Sequence, residues 1–142
     1  TILKADVFIN MPKMKTYPST TVSLGLLNIF DIISAVKGVY YPRIAESICD
    51  IMNIRSPDIN IMDGIECMEG SGSRRRAKRM DLLLASRDTV ALDTIACRVM
   101  GINPVNVEHI FRVGYFGIGE STEKNITLLG GPIDEVKDKF EL

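Results

Sequence analysis

Two short apolar runs, residues 59–62 and 82–85, constrain this chain more than any other feature. Each has the length of a buried strand and is too short for a helix. Between them, residues 66–78 read as a polar connection rich in Gly, Ser and Arg. Residues 89–100 then repeat apolar side chains at helical spacing, with Val90, Ala91, Leu92, Ile95 and Val99 on the buried side. Strand, connection, strand and helix in that order belong to an α/β domain.

The flanks extend the pattern. Residues 6–11 (DVFINM) read as a first strand whose pairing Pro12 ends, and residues 12–21 (PKMKTYPSTT) as the loop leaving it. Residues 22–33 are almost continuously apolar and long enough for a buried helix, with Asn28 its polar exception. A connection over 34–41 carries Lys37, Tyr40 and Tyr41. Pro42 then opens a helix with Ile44, Ile48, Ile51 and Met52 on its core face, stopped by Ser56 and Pro57. Gly101 ends the helix at 89–100, and Asn103–Pro104 start another with Val107, Ile110, Phe111 and Tyr115 as its apolar face. A fourth strand is expected at 126–129 and a terminal helix at 134–140. The order predicts a mainly parallel sheet of about four strands flanked by helices. The connection at 66–78 leaves one pairing open: a long hairpin there would make its two strands antiparallel and the sheet mixed.

Length suits one domain over residues 1–142, and a start at Thr1 rather than Met suggests the C-terminal part of a longer protein. The formal net charge of -1 argues against nucleic-acid binding. No apolar run approaches the roughly 18 residues that span a bilayer, and no signal-peptide pattern opens the chain. Cys49, Cys67 and Cys97 are odd in number and far apart, which fits neither a disulfide framework nor a C-x-x-C motif. The expectation is a cytoplasmic protein with no iron–sulfur cluster within this chain.

Ligands of α/β proteins sit beyond the carboxyl ends of the strands. If the first three strands are parallel, their ends gather Lys13, Lys15, Thr16, Asp63, Glu69 and Asp88 at one rim. The lysines, Thr16 and the hydroxyls of Ser19, Thr20 and Thr21 could hold a phosphate or carboxylate. Asp63 precedes Gly64, which permits close approach; an Asx-turn is the plain alternative. Glu69 and Gly70 fall in a connection of about fifteen residues, a length common in lids and binding loops. Asp63 and Glu69 could also ligate a divalent metal. Asp88 is placed to cap the helix at 89–100, Asp93 lies one turn in, and both could orient the lysines. Asn28 either ties a loop to its helix or touches a ligand.

The run Arg74, Arg75, Arg76, Lys78 and Arg79 could grip an acidic partner, a phosphorylated ligand or an RNA backbone, or be plain solvated surface. The acidic balance of charge ranks RNA last. His109, the only histidine, reads as a packing residue. There is no Walker loop, no G-x-G-x-x-G and no definable Ser/His/Asp set, so neither a reaction nor a metal is legible.

Several segments together carry a family resemblance: INMPKMKT at 9–16, LGLLNIF around Asn28, IMDGIECMEGSG at 61–72, LLLASRDTVALDTIACRVMG at 82–101, and GIGES at 117–121. With these the chain resembles the family called domain of unknown function 362 over nearly its whole length. It departs from the family pattern at Tyr17 (usually His), Leu27 (usually Lys) and Gly72–Ser73 (usually Gly-Pro). The resemblance implies a further upstream α/β stretch as a partner and an association with iron–sulfur, ferredoxin-like segments. Two functions are therefore expected as alternatives. One is binding of a small anionic molecule or metal at the strand ends. The other is a non-catalytic accessory domain of an electron-transfer protein, docking a partner through the arginine run.

Overall fold

The computed structural model describes residues 2–33 and 37–142. Among them five strands form one mixed sheet: β1 (Ile9–Asn10), β2 (Lys13–Tyr17), β3 (Thr21–Ser23), β4 (Ile59–Glu69) and β5 (Arg76–Ser86). β1 and β2 run parallel to β4, one after the other along the same edge, and are interrupted at Pro12, which lacks the N–H a ladder needs. β2 turns back antiparallel into β3, and β4 turns back antiparallel into β5. The α/β class and the helix-flanked sheet expected from the sequence are both present; the sheet has five strands rather than about four, and the antiparallel hairpin left open at 66–78 makes it mixed.

Helices α1 (Gly25–Phe30), α3 (Ile44–Ile54), α4 (Thr89–Val99) and α5 (Glu108–Tyr115) pack together on one face of this sheet. Their core joins Leu26, Ile29, Phe30, Ile48, Val90, Ala96 and Ile110 to Met14, Met62 and Cys67 from the strands. Alternation along each strand turns every second side chain inward. The register Lys13–Asp63–Leu83 therefore lies on the opposite face, which is flanked by exposed Ile9, Met11 and Ile65.

Several expectations are corrected. The supposed loop at 12–21 is mostly the β2–β3 hairpin, because Met14 and Thr16 alternate with the lysines and are buried between them. Only Ile9 and Asn10 of the run 6–11 pair, and Val22 and Ser23 belong to β3 rather than to the helix that follows. The long connection at 66–78 does not exist as a loop. β4 continues to Glu69, β5 begins at Arg76, and a single 3-10 turn (Gly72–Arg74) joins them. Residues 126–129 are not a strand: Leu129 is 92% exposed, and an apolar cavity of about 390 Å3 separates the segment from β5. The terminal helix is only α6 (Ile133–Val136); Asp138 and Phe140 instead bond their N–H groups to the carbonyls of Val99 and Met100. On α5, Phe111 and Tyr115 are exposed, and His109 takes an inward place beside Ile110 and Val113. Of the connection 34–41, residues 34–36 lie outside the described residues, and α2 (Lys37–Tyr40) follows them.

Candidate functional site

The predicted rim is not assembled, because the antiparallel β4–β5 hairpin sends Asp88 to the other end of the sheet. The expected residues fall into three groups instead. Lys13 reaches Asp63 at 2.7 Å and the Glu66 carbonyl at 2.6 Å on the uncovered face, in mid-sheet rather than at a strand end. The Asp63 carboxyl is held below its ordinary value by Lys13 and by the N–H of Ile65, which closes an Asx-type turn beside the bulge at Gly64. Lys15, also in β2, makes no ion pair among the described residues.

The second group is structural. Asp93 is fully buried and accepts from the backbone N–H groups of Gly25 (2.8 Å) and Leu26 (2.9 Å). It thereby caps α1, whose own N-cap, Leu24, offers no side-chain bond. Burial raises the Asp93 carboxyl to about 7, against the opposing pull of those two N–H groups. Among the described residues no lysine reaches it, so it does not orient the lysines as expected. Asn28, exposed on α1, donates to Asn10 at 2.7 Å, and Asn10, Asn60 and Thr89 continue the network, so it links its helix to strand β1 rather than to a loop. Asp88 caps α4 as expected, through Val90 and Ala91, and also accepts from Glu120 at 2.8 Å. The lysines take no orientation from it.

The third group stands at the carboxyl ends of β2 and β4. Thr16 lies 3.4 Å from the Gly70 carbonyl, a long hydrogen bond. Glu69, 3% exposed, accepts from Arg76 Nε (2.8 Å) and the N–H of Glu141 (3.0 Å), with Lys78 at 3.6 Å. Burial pushes its carboxyl up, but the Glu141 N–H, Arg76 and Lys78 together hold it below the ordinary value. Arg76 also binds Glu141, and Lys78 binds Asp138. Arg79 binds Asp81. Three of the five cations in the basic run are thus consumed within the fold, largely in strapping the C-terminal segment down. Arg74 and Arg75 make no ion pair among the described residues.

Arg74 faces an open cleft of about 960 Å3 bounded also by Thr21, Gly101, Asn103, Asn106, Lys139 and Glu141. Lys139, like Arg74, has no ion pair among the described residues, whereas Glu141 is neutralised by Arg76. The cleft lies beyond the β2–β3 and β4–β5 turns, where the parallel strands end. At its wall Thr21 has φ 67 within a three-residue turn closed by Val22 N–H to Thr20 carbonyl (2.8 Å), a strained conformation for a β-branched residue. Thr21 and Asn106 also line a smaller pocket of about 320 Å3 with Ser19, Thr20, Tyr41, Glu108, His109 and Arg112. There Arg112 bonds Glu46 and Glu108. His109 is 1% exposed, burial lowers its pKa to about 4, and its Nε2 has no hydrogen-bond partner among the described residues. The Tyr41 hydroxyl is likewise buried and unpartnered.

Sequence reading looked for a site at strand ends but did not single out Asn103, Asn106, Tyr41, Arg112 or Lys139, which line the cleft and the pocket here. Of the lining residues, Arg74 and the hydroxyls of Ser19, Thr20 and Thr21 were flagged, and the hydroxyls sit at the β2–β3 turn rather than in a loop after β1. Among the described residues no three His, Cys, Asp or Glu side chains group as metal ligands. Cys49, Cys67 and Cys97 are separate buried thiols. No described helix is long and apolar enough to cross a membrane.

The chain belongs to the family described as domain of unknown function (DUF362), whose model matches residues 1–98. It is 26% identical to a thylakoid-associated protein of Synechocystis sp., over 99% of this chain and 46% of that relative, so it spans about half the relative's length. No solved structure matches it.

Proposed function

We propose that this DUF362 domain binds a small anionic ligand in the cleft beyond the carboxyl ends of β2 and β4. The observation that carries the reading is the pair of cations Arg74 and Lys139. Both border the cleft without an ion pair among the described residues, while neighbouring Arg76 and Lys78 are spent on Glu69, Glu141 and Asp138. Cations left over in a concave site at a strand end suit a phosphate or carboxylate. Asn103 and Asn106 add side-chain amides, and Thr21 a hydroxyl, to fix its orientation.

A thermal-shift series with inorganic phosphate, phosphorylated sugars and dicarboxylates tests this. Saturating ligand should raise the melting temperature, since about 2.7 kcal/mol accrues at one hundred times the dissociation constant. Arg74→Ala and Lys139→Ala should abolish the shift while leaving the unliganded protein as stable as before. A shift that survives both substitutions would refute the placement.

A second reading, partner docking, is favoured by one observation: the uncovered sheet face exposes Ile9, Met11, Ile65 and Leu83 around the Lys13–Asp63 pair. On that reading the basic turn contributes only Arg74 and Arg75.

A further inference from the structure

We infer that the ligand is a phosphorylated or carboxylated polyol, with its anionic group in the outer cleft and its hydroxyl-bearing body in the pocket next to it. The inference rests on the anion-binding reading above and adds the chemistry of the rest of the molecule.

The two spaces share a wall, since Thr21 and Asn106 line both. Their electrostatics differ. The outer cleft has two unspent cations. In the inner pocket, Arg112 is matched by Glu46 and Glu108, and His109 is neutral because burial holds its pKa near 4. A second anionic group would be repelled there by the Glu108 carboxylate. Hydroxyl groups would not, because each can donate to a carboxylate, an imidazole nitrogen or a hydroxyl and accept from an amide or guanidinium.

The lining offers that mixture: the hydroxyls of Ser19, Thr20, Thr21 and Tyr41, the Asn106 amide, Glu108, Arg112 and the His109 imidazole. Two of these groups are conspicuous as well as present. Buried polar atoms are nearly always paired, yet His109 Nε2 and the Tyr41 hydroxyl lack partners among the described residues. His109 is 1% exposed and has no recourse to bulk water. Both residues stand in the wall of a pocket of about 320 Å3, a space of the size and polarity that suits a small polar molecule. The pocket has room for a body of a few carbons with its hydroxyls.

Isothermal titration of the chain with inorganic phosphate, glucose 6-phosphate and glucose tests this, in the wild type and in Ser19→Ala and Glu108→Ala. Both substitutions remove a polar group that lines the inner pocket and not the outer cleft, and urea unfolding confirms that each variant is folded. The sugar phosphate should bind at least about tenfold more tightly than phosphate. Ser19→Ala and Glu108→Ala should each reduce that advantage several-fold and leave phosphate affinity unchanged. Equal affinity for phosphate and sugar phosphate in the wild type would overturn the polyol inference and leave the anion site standing. Absence of binding by either would overturn both.

Discussion

Asp93 Oδ1 sits 2.8 Å from the backbone nitrogen of Gly25, and a Cβ built on Gly25 would lie 2.8 Å from the same oxygen. The carboxylate of one helix thus closes the open end of another, and the approach leaves no room for a methyl group. Thr89 crowds the same point, with its Cγ2 also 2.8 Å from that Cβ. Gly25→Ala should therefore destabilise the fold by about 1–3 kcal/mol through overpacking, read as a lower urea midpoint. A midpoint equal to wild type would show that α1 can shift without penalty.

Two buried titratable groups pull stability in opposite directions with pH. Asp93 is raised to about 7, above the carboxyl's unfolded value, so its contribution is present at low pH and lost as pH rises toward 7. His109 is lowered to about 4, below its unfolded value, so its contribution is present above about 6.5 and lost as pH falls toward 4. Wild-type stability should be comparatively flat between pH 4 and 7. Asp93→Asn should leave a slope that rises with pH, and His109→Gln one that falls. Urea unfolding at four pH values checks this; parallel slopes in the two variants would contradict it.

The C-terminal segment is held at Glu69 and Phe140. Phe140, 2% exposed, stands under the Lys78 ammonium at 5.1 Å from its ring centroid. Phe140→Ala should cost about 3–5 kcal/mol. Glu69→Gln keeps the shape but loses the charge that Arg76 and Lys78 answer, and should cost about 1–3 kcal/mol at neutral pH. Because the Glu69 pKa is lowered in the fold, that contribution exists above the unfolded value and fades as pH falls through the folded one. The Gln variant and wild type should accordingly converge in acid. Limited proteolysis of the terminal residues, faster in both variants at pH 7, provides an independent check.

What the sequence made legible follows from which residues signal through local chemistry. Asp88 before Thr89 and Gly101 after Met100 mark the bounds of α4 by capping alone, and both hold in the structure. The period-two alternation of Met14 and Thr16 was equally local, but the lysines between them and Pro12 before them gave it the look of a loop. The RRRAKR run is largely exposed, as its solvated-surface reading expects, but its pairing was not legible, because Glu69, Asp138 and Glu141 are either across a hairpin or at the far end of the chain. The candidate site was the least legible part. Its strand-end location follows from topology, but Tyr41, Asn106, Arg112 and Lys139 meet Thr21 only through the packing of α3, α5 and the terminal segment. No spacing in the sequence announces that.

The Lys13–Asp63 pair illustrates the difference. Both side chains are nearly half exposed, and the pair lies on the face opposite the helices. Such pairs add little to stability. Lys13→Ala, Lys15→Ala and Asp63→Asn should each leave the urea midpoint within error of wild type and leave phosphate affinity unchanged. Loss of binding in any of the three would return the ligand to the mid-sheet position.

The most direct measurement is a two-dimensional amide NMR titration with inorganic phosphate, which reports where the anion sits. The account predicts saturable, concerted shifts at Thr21, Arg74, Asn103, Asn106 and Lys139, with Lys13, Lys15 and Asp63 unmoved. Shifts centred on Lys13 and Lys15, or no saturable shift at any of the cleft residues, would contradict it.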